Sequence, residues 1–173
     1  DYVRPGATVL DQGTGSAILA IAAARLGARS VTAVDNSDVA VATARENVAR
    51  NGLNSVIQVW HGDTPHYPPP SPSSGEGALP RPSPASGRGV GGEGPSPLLP
   101  AAYDLIVANI IANVIIALAA PFAAVLGPGG VLLASGIIRE REDDVRAALG
   151  AAGLAVERRE ARDEWITLVG RRQ

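Results

Sequence analysis

The sequence predicts an α/β fold, a Rossmann-like doubly wound sheet of seven strands, mostly parallel, with an antiparallel hairpin at its C-terminal edge. Three observations lead to this fold class. First, short aliphatic runs alternate along the chain with longer Ala-rich or amphipathic runs. Second, the first strand-like run ends in an acid before a glycine loop. Third, the last two strand-like runs have no helix between them. Alternating strands and helices build a parallel sheet, because right-handed crossovers place the helices on its faces.

The first half of the chain contains three predicted strands and two helices. Aliphatic and β-branched runs predict strands at 7–11, 30–35 and 56–60, and helices are expected at 18–26 and 38–50. Gly27 stands where a C-terminal cap belongs. Ser37 or Asp38 can cap the second helix, and Asn51-Gly52 ends it.

The second half repeats the alternation and then departs from it. Strands are predicted at 103–109, 131–135, 154–162 and 165–170, and helices at 113–126 and 139–152. Pro128-Gly129-Gly130 has the composition of a turn leading into the fifth strand. Since no helix separates the final two strands, they should pair as an antiparallel hairpin at one edge.

A segment rich in Pro, Gly and Ser divides the two halves. It runs from 65 to 100 and contains Pro-Ser-Pro three times. Such a composition buries too little apolar surface to offset the entropy of ordering, so we expect a disordered insertion. Residues 1–64 and 101–173 should together form one cofactor-binding domain.

Composition excludes several classes of function. The chain has no Cys and two histidines without metal-ligand spacing, so no metal site is expected. A net charge of −2 gives no basic face for nucleic acid, and no direct nucleic-acid partner is predicted. No apolar run is long enough to span a membrane and no signal peptide is apparent, so the expected location is cytoplasmic.

The first glycine loop is the main candidate for a ligand site, because ligands of open parallel sheets bind at the carboxyl ends of the strands. Asp11 ends the first predicted strand, and Gly13, Thr14 and Gly15 follow it. The third glycine of the dinucleotide fingerprint is missing, which makes an NAD-dependent dehydrogenase a distant alternative. A carboxylate at Asp11 suits the ammonium or sulfonium side of S-adenosylmethionine, directly or through water.

Other polar residues close the remaining strands of the predicted sheet. Asp35 ends the second strand, where a carboxylate accepts the hydroxyl protons of a ribose, and Asn36 follows it. Asp63 is placed to accept from an adenine amino group. Asn109 ends the fourth strand and is predicted to bind the cofactor or to hold the substrate amine as the catalytic residue, the alternative being a cap for the next helix.

The segments Val9-Leu10-Asp11-Gln12-Gly13-Thr14-Gly15-Ser16 and Val107-Ala108-Asn109-Ile110-Ile111-Ala112 carry a resemblance to a known family. The chain resembles the catalytic domain of the class I S-adenosylmethionine-dependent methyltransferases of the PrmA family, which methylate lysines and the N-terminal amine of ribosomal protein eleven of the large subunit. The resemblance implies S-adenosylmethionine as cofactor, a ribosomal protein as partner, and cofactor contacts at Gly13, Asp35 and Asn109.

Three departures from the family pattern leave alternatives open. Ala17 replaces a usual glycine, the insertion adjoins the expected adenine site, and the family's N-terminal substrate-recognition domain is missing from this chain. One alternative is a methyltransferase-fold domain that acts on a small molecule or another protein. The other is a cofactor-binding remnant without activity. The sequence does not identify the methylated atom.

Overall fold

The computed structural model describes residues 2–65 and 103–173. Seven strands form one sheet in the order β3-β2-β1-β4-β5-β7-β6. In chain order the elements are β1 (Thr8–Gln12), α1 (Ile18–Arg25), β2 (Ser30–Asp35), α2 (Asp38–Arg50), β3 (Ile57–His61), β4 (Tyr103–Asn109), α3 (Ala112–Val125), β5 (Leu126–Ile138), α4 (Glu142–Ala151), β6 (Leu154–Arg162) and β7 (Trp165–Arg172).

Strand direction confirms the predicted fold class. Strands β1 to β5 run parallel to one another, while β7 runs antiparallel between β5 and β6. The C-terminal hairpin is therefore present, with β6 as the edge strand. Its turn passes through Asp163 at φ 55°, a left-handed conformation that Asp tolerates better than most residues.

Each face of the sheet buries its own aliphatic core. Leu10, Ile106, Leu132 and their neighbours pack against α3 and α4 on one face. Val9, Val31 and Leu105 pack against α1 and α2 on the other face. Successive strand residues point to opposite faces, so β1 and β4 supply alternate residues to the two cores.

One predicted turn is wrong. Pro128-Gly129-Gly130 lies within the long strand β5, where the pairing with β4 shifts from Tyr103↔Leu126 to Leu105↔Val131. Between these two pairs, Asp104 of β4 faces four residues of β5, 127–130, and the turn-forming triplet is accommodated as an irregularity of the strand, with Gly129 at φ 71°. A Cβ on Gly130 would lie 2.8 Å from the carbonyl oxygen of Gly127, which explains the glycine there.

The predicted insertion at 65–100 lies outside the described residues, except for Pro65. The other boundaries differ from prediction by a few residues. Helix α4 begins at Glu142 because Arg139–Arg141 form a 3-10 turn, and α3 begins one residue earlier than predicted. Strands β2 and β4 end as predicted, at Asp35 and Asn109, whereas β1 and β3 each run one residue further and β5 runs on to Ile138.

Candidate functional site: a cleft at the carboxyl edge of the sheet

The loop between β1 and α1 is fastened to the end of β2. Three consecutive odd positions, Gly13, Gly15 and Ala17, have left-handed φ values of 73°, 55° and 64°. The Gly13 and Thr14 amides both donate to the carbonyl oxygen of Val34, at 2.8 and 2.9 Å. These bonds turn the backbone sharply and hold it over the carboxyl end of the sheet.

Asp11 supports this loop from behind. Its side chain is 1% exposed, and its Oδ2 accepts from the Thr14 hydroxyl at 2.6 Å and from the Ala20 amide at 3.0 Å. Ala17, the N-cap residue of α1, has no side-chain acceptor, so Asp11 caps a helix whose own first residue cannot. Burial raises the pKa of Asp11 to about 6. Asp11 and Thr14 therefore shape the site, and they are not among the residues that line the cleft described below.

Asp35 faces the open side of the loop. Its Oδ2 accepts from the Gly15 amide at 2.9 Å and its Oδ1 from the Ser37 amide at 3.0 Å. The Ser37 hydroxyl in turn accepts from the Ala40 amide, which confirms Ser37 as the N-cap of α2. Asp35 is thus free of the capping role and has its carboxylate fixed by two backbone donors.

A cleft of about 640 Å³ opens beside Asp35. This is a typical volume for a site that holds a cofactor-sized ligand. The residues that line it come from the ends of β1, β2 and β3 and from the first turns of α3. They are Gln12, Gly13, Asp35, Asn36, Gly62, Asp63, Thr64, Ile110, Ile111, Asn113, Val114, Ala117 and Leu118.

Two predicted residues meet at one end of the cleft. The Asn36 amide donates to the carboxylate of Asp63 at 2.8 Å. The backbone amide of Gly62 donates to the Asp35 carbonyl oxygen at 2.9 Å, which draws the end of β3 toward β2. The structure therefore brings Asp35, Asn36 and Asp63 together, as the sequence predicted.

Close contact between two loops fixes the middle of the site. A Cβ on Gly13 would lie 2.3 Å from Cγ2 of Ile110, and a Cβ on Gly136 would lie 2.8 Å from the Ile110 carbonyl oxygen. Ile110 is thus packed between two glycines, one after β1 and one in β5. The Ile110 amide also donates to the carbonyl oxygen of Ser135 at 3.2 Å, so the segment after β4 is rigidly placed.

Asn109 lies at the exposed carboxyl end of β4, in register with Ser135 of β5. It does not cap the following helix, because Ile111 is the N-cap of α3. Neither Asn109 nor Gly15 is among the residues that line the cleft. Asn109 precedes Ile110, which does line it, and the Gly15 amide donates to the carboxylate of Asp35, which also lines it.

Sequence reasoning missed the contribution of Gln12 and of α3. Gln12 is 4% exposed, and its amide donates to the Asp63 carbonyl oxygen at 3.4 Å. Val114 and Ala117 of α3 also line the cleft. In the sequence they are one helical turn apart, which is the spacing of apolar residues that face a protein core, so the pattern alone gives no sign that they form a cleft wall. Exposure of Val114 at 39% shows that this face of α3 is only partly covered.

Two kinds of site are absent from the described part of the chain. No group of three or more His, Asp and Glu side chains in 2–65 and 103–173 is arranged to hold a metal ion. Over the same residues, the helices are too short or too polar to cross a membrane.

Comparison with known proteins identifies relatives of the whole chain. The family model described as "Ribosomal protein L11 methyltransferase (PrmA)" matches residues 1–70 and 92–173. The ribosomal protein L11 methyltransferase of Chloroflexus aurantiacus is 44% identical over 98% of this chain, which covers 50% of that protein. The one of Heliobacterium modesticaldum is 43% identical over 99% of this chain, which covers 45% of that protein. The chain therefore spans about half the length of these relatives.

A solved structure shares the same architecture. The ribosomal protein L11 methylase of Lactobacillus delbrueckii subsp. bulgaricus is 30% identical, with a TM-score of 0.73 over 99% of this chain and 72% of its own. A S-adenosylmethionine-dependent methyltransferase of Aquifex aeolicus, 20% identical with a TM-score of 0.63, shows a likeness of fold.

Proposed function

The chain belongs to the PrmA family of ribosomal protein L11 methyltransferases, and we propose that it is the half of such an enzyme that binds S-adenosylmethionine and transfers its methyl group to an amine. The proposed acceptors are lysine side chains and the N-terminal amine of the ribosomal protein of the large subunit. The proposal depends above all on the Asp35 carboxylate, held by two backbone amides at the wall of a cofactor-sized cleft.

The residues of the cleft fit S-adenosylmethionine. Each oxygen of Asp35 accepts one backbone hydrogen bond, and a carboxylate oxygen can accept a second, so the pair is available to two ribose hydroxyls. Gly13 has no side chain between the loop and the cleft. We assign Asp63 to the adenine amino group, and Val114 and Ala117 of α3 provide apolar surface for a ring. Asn36 orients Asp63.

S-adenosylmethionine supplies an already activated methyl group, so the protein mainly positions the acceptor and excludes water. We assign this positioning to Asn109, whose exposed amide lies at the carboxyl end of β4 beside the cleft wall formed by Ile110. An amide oxygen accepts a hydrogen bond from a neutral amine and leaves the nitrogen lone pair directed elsewhere. Asp11, Thr14 and Gly15 maintain the loop opposite.

Asp35→Ala tests cofactor binding. Two hydrogen bonds to a charged group contribute about 3 kcal/mol or more, so the Kd for S-adenosylhomocysteine should increase at least about 100-fold by calorimetry. Asp38→Ala, which removes a nearby carboxylate that is 97% exposed, is the matched control and should leave the Kd unchanged. Thermal unfolding of both variants checks the fold. Unchanged affinity in Asp35→Ala would show that the ribose assignment is wrong.

The acceptor is tested with the full-length enzyme, because the chain covers only about half of its relatives' length. Label from tritiated cofactor should pass to purified ribosomal protein L11. Transfer only to a small metabolite would instead support the small-molecule alternative. A chain that binds no S-adenosylhomocysteine would be the inactive remnant.

A further inference from the structure

Gln12 is a polar residue at the buried carboxyl end of β1. It is 4% exposed, and its side chain shares a face of the sheet with Leu10 and with its register partner Val34, both of which belong to the core beneath α3 and α4. An aliphatic side chain is the usual occupant of such a position, because a buried amide lowers stability unless both its ends are hydrogen bonded. The amide of Gln12 therefore has no evident role in the core itself.

One hydrogen bond holds this amide. Its nitrogen Nε2 donates to the main-chain carbonyl oxygen of Asp63 at 3.4 Å, which is longer than most bonds of this kind. A carbonyl oxygen only accepts, so Nε2 must face it, and Oε1 is left buried without a partner among the described residues. Because breaking the bond would leave both ends of a buried amide unpaired, Gln12 restrains the main chain at Asp63.

Asp63 is held a second time, through its carboxylate. The Asn36 amide donates to Oδ1 at 2.8 Å, while Oδ2 accepts no hydrogen bond within the part of the chain that the structure describes. The sheet order β3-β2-β1 explains this arrangement, because the ends of β1 and β2 each contribute one amide to the segment that follows β3. Asp63 thus has its main chain and one carboxylate oxygen fixed, and its second oxygen can accept from a ligand.

The fixed carboxylate lies where a nucleoside base is expected. Gln12, Asn36 and Asp63 all line the cofactor cleft, and Asn36 directly follows Asp35, the residue assigned to the ribose. A base joined to that ribose therefore lies next to the pair formed by Asn36 and Asp63.

A carboxylate oxygen that cannot turn away distinguishes donors from acceptors. It stabilises a ring that carries an amino group opposite it, and it repels a ring that carries a carbonyl oxygen at the same place. A mobile carboxylate would avoid the repulsion by rotating toward water. Fixation of Asp63 at two points therefore adds discrimination to an acceptor that would otherwise supply affinity alone.

We propose that Gln12 is a positioning residue for base recognition: acting with Asn36, it fixes Asp63 so that the cleft selects a 6-amino purine over a 6-oxo purine. Gln12 does not touch the base in this arrangement and acts through the main chain of Asp63. The inference rests on the proposed binding of S-adenosylmethionine, since it names the feature that selects the base of that cofactor.

Two probes that differ at one ring position measure this selection. S-adenosylhomocysteine carries the 6-amino group, and S-inosylhomocysteine carries a carbonyl oxygen in its place. The readout is the ratio of their Kd values, measured by calorimetry. For the wild-type chain the 6-oxo compound should bind about 10- to 100-fold more weakly, because a hydrogen bond to a charged group is lost and two acceptors face each other.

Gln12→Leu is the main variant, since leucine is close to glutamine in size and suits the buried end of β1. The ratio should fall to about threefold or less, because the Asp63 carboxylate can then move away from a carbonyl oxygen. Stability against urea should stay the same or increase, as the unpaired Oε1 is removed. Asn36→Leu, which removes the second amide, should also lower the ratio.

A double variant shows whether Gln12 acts through Asp63. Asp63→Ala alone should lose the selectivity, and Gln12→Leu added to it should change the ratio no further. Gln58→Leu is the matched control, because Gln58 is an exposed glutamine of β3 that is not among the residues lining the cleft. It should leave both Kd values unchanged.

Two outcomes would overturn the inference while the proposed function stands. One is an unchanged ratio in Gln12→Leu, including the case in which both affinities fall in equal proportion, which is the effect of a purely structural role. The other is a wild-type chain that binds the two compounds equally. A marked loss of stability in Gln12→Leu would also contradict it, since the amide would then be a structural feature of β1. A wild-type chain that binds neither compound contradicts the proposed function itself and the inference with it.

Discussion

Replacement of Asp11 by Asn is expected to change how stability depends on pH. Both hydrogen bonds to this side chain, from the Thr14 hydroxyl and the Ala20 amide, go to Oδ2. An amide oxygen placed there keeps both bonds. The amide nitrogen then takes the place of Oδ1, which is buried without a hydrogen-bond partner among the described residues. Asp11→Asn therefore keeps the shape and the helix cap of the loop while it removes the titratable group.

The pKa of Asp11 gives the size of the effect. Burial raises the pKa from 3.8 to about 6, and each unit corresponds to about 1.4 kcal/mol, so the buried charge costs roughly 3 kcal/mol. The folded chain holds the Asp11 proton more tightly than the unfolded chain, so protonation of Asp11 stabilises the fold. This stabilisation is fully present below about pH 4, is lost as the pH rises toward 6, and is absent above that.

Urea unfolding of the wild-type chain and Asp11→Asn between pH 4 and pH 8 measures this difference. The unpartnered amide nitrogen costs about 1–3 kcal/mol at every pH and only offsets the curve. The free energy of unfolding of Asp11→Asn, relative to wild type, should increase by about 1.4 kcal/mol per pH unit from about pH 4 to pH 6 and then level off.

A second variant tests the cause of the shift. Thr14→Val removes a hydroxyl that lowers the pKa of Asp11, so the pH range of the effect should extend further above 6. The reasoning would be refuted if the free energy of unfolding depended on pH in the same way for wild type and Asp11→Asn. It would also be refuted if Asp11→Asn became more stable relative to wild type as the pH fell. Either result would mean that Asp11 is ionised in the folded chain at no cost.

Two further predictions concern the left-handed residues of the same loop. Gly13→Ala should lower the free energy of unfolding by about 2–4 kcal/mol, because strain at φ 73° adds to a 2.3 Å clash with Ile110, and it should also abolish S-adenosylhomocysteine binding. Gly15→Ala, at φ 55° with nothing within 4 Å, is the matched control and should cost about 1 kcal/mol by urea unfolding. Ala17→Gly relieves strain at φ 64° and loses one buried methyl, so stability should change by less than about 1 kcal/mol. Ala20→Gly, equally buried but inside α1, should cost about 2 kcal/mol, and equal losses in the two would show that Ala17 is unstrained.

The sequence predicted every strand of the sheet and its carboxyl edge, because alternation of strand and helix leaves few topologies open. It also placed Asp35, Asn36 and Asp63 together, since the ends of neighbouring parallel strands meet. Its error at Pro128-Gly129-Gly130 has a local cause. Turn-forming residues signal a break in regular pairing, and a break within a strand has the same composition as one between strands.

What the sequence did not predict depends on packing across the sheet. The side chain of Asp11 points to the back of its own loop, where α1 lacks a capping residue, and composition gives no sign of that. The hydrogen bond between Ser135 and Thr167 depends on β7 lying between β5 and β6, which brings the two residues together across 32 residues of sequence. A hairpin predicted only as an edge feature does not specify which of its strands joins β5.

The position of the segment after Asn109 follows from glycines that are far apart in sequence. Gly13 and Gly136 admit Ile110 from opposite sides, so the segment after β4 is held between β1 and β5 and has little room to move. A cofactor-sized ligand in the cleft therefore meets, at Ile110, a wall whose position is set by packing and by the hydrogen bond from the Ile110 amide to the Ser135 carbonyl oxygen.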